Sequence, residues 1–453
     1  MPETAPPVAP SRPAGTHRLI RMSGRRTDEQ HRVATPLELL FDLTFVVAFG
    51  FAGNELAHTI VTGHVGAGLI GFAVAMFATC WAWINFSWFA SAFDTDDWLY
   101  RIVTMVQMVG VLILALGIPP LFSSLVAGAH LNITGIVIGY VVMRIAMVVQ
   151  WLRAARQCPA NRRAALTYVV AIVAAQIGWV TLIFLDITVL PLLLCALALD
   201  IVEGLGPVIA ERRQPTPWHA EHIADRYSAL AIIALGEGVV GAAAALSAVI
   251  EVEHGWTWEV ASVGLAGIGL TLGMWWSYFT LPSGEALQVA RGKGFVWGYG
   301  QILVFAAIAA TGAGLHVAAL QMEQPTAAGE AAAGGAAAAE AHVGVSAAVL
   351  AVAVPVAVFT VALYGLYTYL VGQFDRFHLL LLGGTVVVLA LAVLLATTGV
   401  PLPICLLLLA LAPAVTVVGY ETVGHAHQER VLERLRSGVA DRPAAAEPRP
   451  APR

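Results

Sequence analysis

The chain has 453 residues, of which 58% are hydrophobic and only 12% charged, at a mean hydropathy of +0.78. Soluble globular domains carry about 25% charged residues, so half that share excludes an assembly of water-soluble domains and points to a polytopic membrane protein. The net charge of −5 decides little, because along a membrane chain the distribution of charge matters more than its sum.

Residues 1–33 are rich in Pro and Arg and hold no apolar core, so they are predicted to form a disordered basic tail. No short apolar run with a small-residue cleavage site lies near Met1, so the first span is expected to double as the insertion signal. That span opens in residues 34–49, ATPLELLFDLTFVVAF, an apolar run that nevertheless carries two acids, Glu38 and Asp42. Pro36 suits the first turn of a helix and Thr35 suits its N-cap. Four positions apart, Glu38 and Asp42 share one helical face, with Phe41, Phe45 and Phe49 on a neighbouring face. Two readings stand side by side: a pair of acids lining an internal polar path, or a capping acid with a buried hydrogen-bonded partner.

Apolar runs of about twenty residues then recur to the end of the chain. The expected spans are residues 37–57, 65–90, 102–122, 133–152, 165–185 and 187–210, followed by 227–250, 258–281, 296–320, 343–371, 379–398 and 402–418. The closest turns fall at Asp186 and at Gly399-Val400-Pro401. With the N-terminus inside, every Lys and Arg except Arg144 falls on a cytoplasmic segment or its edge, and a missed span would scramble that alternation. The expectation is an all-α membrane protein of about twelve transmembrane helices, with both termini in the cytoplasm.

The organisation follows. Residues 34–210 form a first six-helix half, 211–226 a cytoplasmic linker, 227–425 a second half with a flexible Ala/Gly-rich outer loop at 321–342, and 426–453 a cytoplasmic tail. Residues 421–436 have the pattern of a short amphipathic surface helix. The halves echo each other weakly. Trp81, Trp83, Trp88 and Phe89 near the end of the second span parallel Trp275, Trp276, Tyr278 and Phe279 near the end of the eighth. Asp200 and Glu203 in the sixth span are echoed by Glu421 near the end of the twelfth, a pattern compatible with two parallel six-helix repeats.

Residues 218–237, WHAEHIADRYSALAIIALGE, lead from a polar approach into an apolar run that ends on Glu237. Together with TPLELLFDLTFVVAF and with Phe93-Asp94-Thr95-Asp96-Asp97 before Arg101, this stretch resembles the low temperature requirement protein A (LtrA) family of bacterial membrane proteins. The resemblance covers about residues 34–425. It implies a multi-pass location and a role in growth at low temperature, and leaves the chemistry to the residues.

Charges inside the hydrocarbon layer cost roughly 2.5–3.5 kcal/mol each unless paired or wetted. Arg144, Asp200 and Glu237 are expected near mid-bilayer, Glu203 one turn from Asp200, and Arg226 on the cytoplasmic side below Glu237 on the same helix wall. One Arg pairs one acid, so at least one carboxylate is left over. The candidate ion or substrate path is therefore Glu38, Asp42, Arg144, Asp200, Glu203, Arg226 and Glu237. The alternative is a set of static pairs and neutral acids that fix helix packing. Gly236, Gly238 and Gly241 around Glu237 fit either close helix packing or approach of a substrate.

His219 and His222 lack a second pair at metal-ligand spacing and are read as a polar interface with Glu221 and Asp225. Trp81, Trp83, Trp88, Trp275 and Trp276 fit an interfacial belt and packing better than a substrate box. No nucleophile elbow, P-loop, dinucleotide fingerprint or HExxH motif is present, and the four Cys suggest no disulfide framework. The expected protein is not an enzyme, carries no metal or cofactor, and binds no nucleic acid. Its partners are the lipid bilayer and a small solute or protons. A secondary transporter, proton-coupled through buried acids, is the leading reading, and a non-transporting component of cold or envelope adaptation the alternative.

Overall fold

The computed structural model describes residues 19–25, 32–128, 130–185, 187–253, 258–323 and 344–440. Among them every regular element is helical. The first helix shows how local sequence sets a boundary. The Thr35 hydroxyl accepts a hydrogen bond from Glu38 N (3.3 Å), and Glu38 Oε2 accepts one from Thr35 N (2.8 Å). This capping box satisfies two amides that a helix start leaves unpaired, and Pro36 follows where no amide is needed.

In chain order the helices are α1 (Pro36–Val61), α2 (Val65–Phe93), α3 (Trp98–Leu116), α4 (Ile118–Ala127), α5 (Thr134–Gln157), α6 (Arg162–Ile183), α7 (Val189–Arg213) and α8 (Ala220–Glu253). They continue with α9 (Trp258–Thr280), α10 (Ser283–Val289), α11 (Gly294–Glu323), α12 (Val345–Val371), α13 (Arg376–Thr397), α14 (Leu402–Ala410), α15 (Ala412–Gly419) and α16 (His425–Ala440). Two spans are broken in register: α3 gives way to α4 ahead of Pro119 and Pro120, and α14 to α15 ahead of Pro413, where the missing amide interrupts the ladder.

Eleven helices among the described residues are long and apolar enough to cross a bilayer, and they coincide with eleven of the twelve expected spans. The remaining expected span, 258–281, lies on α9, which has 23 residues and packs against α8, α14 and α15. The protein is thus a multi-pass, all-α membrane protein. The expected turn at Gly399 is present, with a left-handed backbone (φ +87°), while Asp186 and the loop from 324 to 342 lie outside the described residues. The linker expected over 211–226 is much shorter. α7 continues to Arg213 and α8 already starts at Ala220, so Asp225 and Arg226 are helical.

Packing centres on α11, the most buried span, which touches α1, α2, α8 and α12. Glycines make the closest crossings. A Cβ on Gly139 would lie 2.3 Å from Leu114 N, and one on Gly117 would lie 2.4 Å from Ile136 N, so α3 and α5 meet backbone to backbone along a Gly135-x-x-x-Gly139 stripe. The α6–α7 pair sits at the periphery and turns Val170, Ile177, Phe184, Leu190 and Leu194 outward, the apolar surface that lipid covers.

The basic residues gather at one end of the bundle, here the basic end. Lys293 Nζ donates to the carbonyls of Tyr369 (2.8 Å) and Leu370 (3.0 Å), neutralising the exposed carbonyls at the end of α12. The basic segment expected to be a disordered tail is partly a built strap. Ile20 N donates to Asp97 Oδ2 (3.1 Å), Met22 N to Gln157 Oε1 (2.7 Å) and Arg25 N to Ala92 O (2.9 Å), and Met22 is fully buried. Arg153 donates to the Ile20 carbonyl (2.7 Å) and forks onto Asp97, and Arg32 donates to the carbonyls of Ala90 (2.8 Å) and Ser91 at the end of α2. The strap fills hydrogen-bonding groups that helix ends leave open, a pattern composition does not reveal.

Hydrogen bonds from Arg153 and from the amides of Tyr100 and Ile20 outweigh the effect of burial and hold Asp97 below the usual carboxylate range. Its neighbour Asp94 goes the other way. Burial, reinforced by the charge of Glu38 and opposed by Arg32, pushes it up to about 6.

Candidate functional site

Glu38 and Asp42 on α1 and His222 and Arg226 on α8 are all fully buried and form one cluster. Arg226 Nε donates to Asp42 Oδ2 (3.1 Å), its Nη2 pairs with Asp42 Oδ1, and its Nη1 lies 3.1 Å from Glu38 Oε1. His222 Nε2 lies 3.2 Å from the same Glu38 oxygen. Trp83 of α2 donates its indole N–H to Asp42 Oδ1 (2.6 Å). The guanidinium is 5.7 Å from the ring centres of both Trp83 and Phe86, so aromatic faces close the sides that carboxylates leave open. Two carboxylates against one guanidinium leave one negative charge, which a single proton on His222 or on either acid cancels.

The two pairs match in spacing. Glu38 and Asp42 are four apart on α1, and His222 and Arg226 are four apart on α8, so two helices running the same way bring them into register. Farther along, a Cβ on Gly50 of α1 would lie 3.4 Å from the Glu237 Oε1 of α8. The contacts proceed in the same order on both helices, which makes α1 and α8 parallel and requires an odd number of crossings between them. The five spans α2, α3–α4, α5, α6 and α7 meet that requirement.

Glu237 stands about 16 Å beyond Arg226 along α8. It shares the α1–α8 interface with Glu38 and Asp42 but takes no part in their pairing, and it is half-buried. Among the described residues no ion pair or hydrogen bond reaches its carboxylate. Its surroundings are glycine. A Cβ on Gly312 of α11 would lie 2.8 Å from the Glu237 carbonyl carbon, and one on Gly241 would lie 2.5 Å from the Gly312 carbonyl oxygen. Three helices therefore meet at this acid with almost no side-chain bulk between them.

A second cluster joins α5 to α7. Arg144 Nη2 lies 2.6 Å from Glu203 Oε1 and donates to the Tyr140 hydroxyl (2.7 Å), with the guanidinium 4.5 Å from the Tyr140 ring centre. Arg144 and Glu203 are each only 2% exposed. Asp200, one turn earlier on α7, is half-buried, has no partner among the described residues, and faces a cavity between α2, α5, α6 and α7.

The seven acids and bases singled out in the sequence thus fall into two ion-paired clusters and two unpaired carboxylates rather than a single path. Arg226, expected on the cytoplasmic side below Glu237, is buried among the acids of α1. His222 faces Glu38 rather than Glu221 or Asp225, and the matching four-residue spacings are the signal that would have placed it. Trp81, Trp83 and Trp88 point inward, Trp88 donating to the Tyr227 hydroxyl (3.1 Å), whereas Trp275 and Trp276 stay exposed as a belt requires. No group of three or more His, Cys, Asp or Glu side chains placed to hold a metal exists among the described residues.

Both clusters and Glu237 lie inside the region, residues 33–413, that matches the family model described as bacterial low temperature requirement A protein (LtrA). An uncharacterized protein of Rhizobium meliloti (strain 1021) is 26% identical over 264 residues, which are 56% of this chain and 60% of that protein. No solved structure matches. A match over most of the chain, running from the α1 acids through the α8 motif, settles membership: the chain belongs to the bacterial low temperature requirement A (LtrA) family.

Proposed function

We propose that this protein is a secondary transporter of a small solute in the cell membrane, coupled to protons, with the basic end and both termini in the cytoplasm. The observation that carries the reading is Glu237, an acid at membrane depth with no partner among the described residues, set where α1, α8 and α11 meet through glycine. An unpaired carboxylate there is costly unless it is protonated or faces a polar route, and glycine crossings give the helices around it room to shift. Glu38, Asp42 and Arg226 are sealed against one another. On this reading they hold α1 to α8, and Arg144–Glu203 does the same for α5 and α7.

That sealing favours a second reading, in which the protein moves nothing and contributes to cold or envelope adaptation as a membrane component.

Uptake into proteoliposomes with and without an imposed pH gradient separates the two. For a panel of small solutes the transport reading expects uptake driven by the gradient. Glu237→Gln keeps the size of the side chain and abolishes the pH dependence while membrane expression stays normal. Wild-type protein that moves no solute under any gradient, or a Glu237→Gln variant with the wild-type pH profile, refutes proton-coupled transport through Glu237.

A further inference from the structure

We infer that the cavity between α2, α5, α6 and α7 is a binding site for an organic monocation with an apolar body. Its volume is about 290 Å³, near the lower end of small-molecule sites. The walls are apolar and aromatic, chiefly Phe77, Val137, Trp179 and Leu197, while Ala73 and Ala196 leave the space open. Two polar side chains face it, Tyr140 and Asp200.

The charge balance selects the ligand. Arg144, the nearby cation, is spent on Glu203 at 2.6 Å and on the Tyr140 hydroxyl at 2.7 Å. Asp200 meets neither and has no partner among the described residues, so with all three groups ionised Arg144, Glu203 and Asp200 together carry one uncompensated negative charge. An anion would be repelled, and a neutral solute would bury the carboxylate without neutralising it. A cation supplies the missing charge, and the aromatic rings of Phe77 and Trp179 in the wall favour a positive group over a neutral one of equal size. Asp200 lies about 16 Å along α7 from Val189, so the site sits at membrane depth and the rest of the ligand needs to be apolar. This inference rests on the cavity and not on transport. A protein that binds the cation but moves nothing leaves it standing.

Equilibrium dialysis tests it, with the full chain in phosphatidylcholine nanodiscs and no gradient. The probes are benzyltrimethylammonium, its uncharged isostere neopentylbenzene, and benzenesulfonate. Wild-type protein is expected to bind the cation saturably, at least about tenfold more tightly than the neutral isostere, and not to bind the anion. Asp200→Asn removes that preference, lowering cation affinity about tenfold without weakening the isostere. Ala196→Phe on α7 and Ala73→Phe on α2 fill the space from opposite walls, and whichever variant folds abolishes binding. The inference is overturned by unsaturable cation binding, by unchanged affinity in Asp200→Asn, by equal affinity for cation and isostere (an apolar or lipid-tail site), or by binding of the sulfonate.

Discussion

Removing Arg226 tests how α1 is held to α8. Arg226→Gln takes away the cation that pairs with two carboxylates, both fully buried. Breaking a buried pair by deleting one partner costs about 3–5 kcal/mol, because the remaining charge is stranded. Some support survives. Asp42 keeps the Trp83 indole (2.6 Å), and Glu38 keeps His222 (3.2 Å) and the Thr35 amide (2.8 Å). Those bonds and proton uptake by one acid place the expected loss at the lower end, about 3 kcal/mol. Asp42→Asn is milder, because Asn still accepts from Trp83 and the Glu38–Arg226 pair remains neutral overall, so about 1–2 kcal/mol is expected. In the double variant the second change costs less than it does alone, since the partners it would strand are already gone, with a coupling of about 1–3 kcal/mol. Thermal unfolding in detergent, followed as loss of the monodisperse peak in size-exclusion chromatography, ranks the three variants. Arg226→Gln as stable as wild type, or strictly additive losses in the double variant, would refute the assignment of this cluster as the clamp between α1 and α8.

Gly312→Val drives a side chain into the backbone of Glu237, where a Cβ already lies 2.8 Å from the carbonyl carbon, and should cost about 1–3 kcal/mol with reduced membrane yield. Gly365→Ala, where a Cβ meets nothing within 4 Å, is the silent control for that yield measurement. At the strap the sign follows from Asp97. Its folded pKa is depressed, so its contribution is fully present above the ordinary carboxylate range and is lost as pH falls through the depressed value. Asp94, pushed up to about 6, has the opposite sign and favours the fold as pH falls from neutrality, which confines strap release to the acid side of Asp97. The protection of the amides of residues 20–25, taken relative to their intrinsic exchange rates at each pH, should therefore be lost only in strong acid in the wild type and already at neutral pH in Asp97→Asn. Equal exchange in the two proteins at neutral pH would remove Asp97 as the anchor.

What could be read from the sequence was what is local or periodic. The spans follow from runs of apolar residues, and the start of α1 follows from Thr35, Pro36 and Glu38, which act within one turn. The pairing of α1 with α8 was half legible, because Glu38–Asp42 and His222–Arg226 show the same four-residue step, but nothing local says that those two helices touch. Arg144 shows where legibility stops. Asp200, Glu203 and Glu237 are all plausible partners by depth, and only the rotation of α7 against α5 selects Glu203. The strap at residues 19–25 escaped for a different reason. Its bonds run mostly through backbone groups, with Met22 as its buried anchor, so it shows neither periodicity nor a motif.

The same interface that holds α1 to α8 also limits how they can move. At the basic end the contact is made by Arg226, Glu38, Asp42 and Trp83, whose bonds are directional and do not survive sliding. Eleven residues farther along α8, the contact is Gly50 of α1 against Glu237, with Gly312 of α11 against the α8 backbone beside it, which presents little side-chain relief to interlock. On the transport reading, any rotation of α1 against α8 therefore pivots at the charge cluster and is expressed at Glu237. With a lever of about 16 Å, a rotation of about 10° moves the carboxylate roughly 3 Å relative to Gly50, enough to admit or expel a water molecule. The paired acids would then matter to coupling by staying paired, and the unpaired one by having somewhere to go.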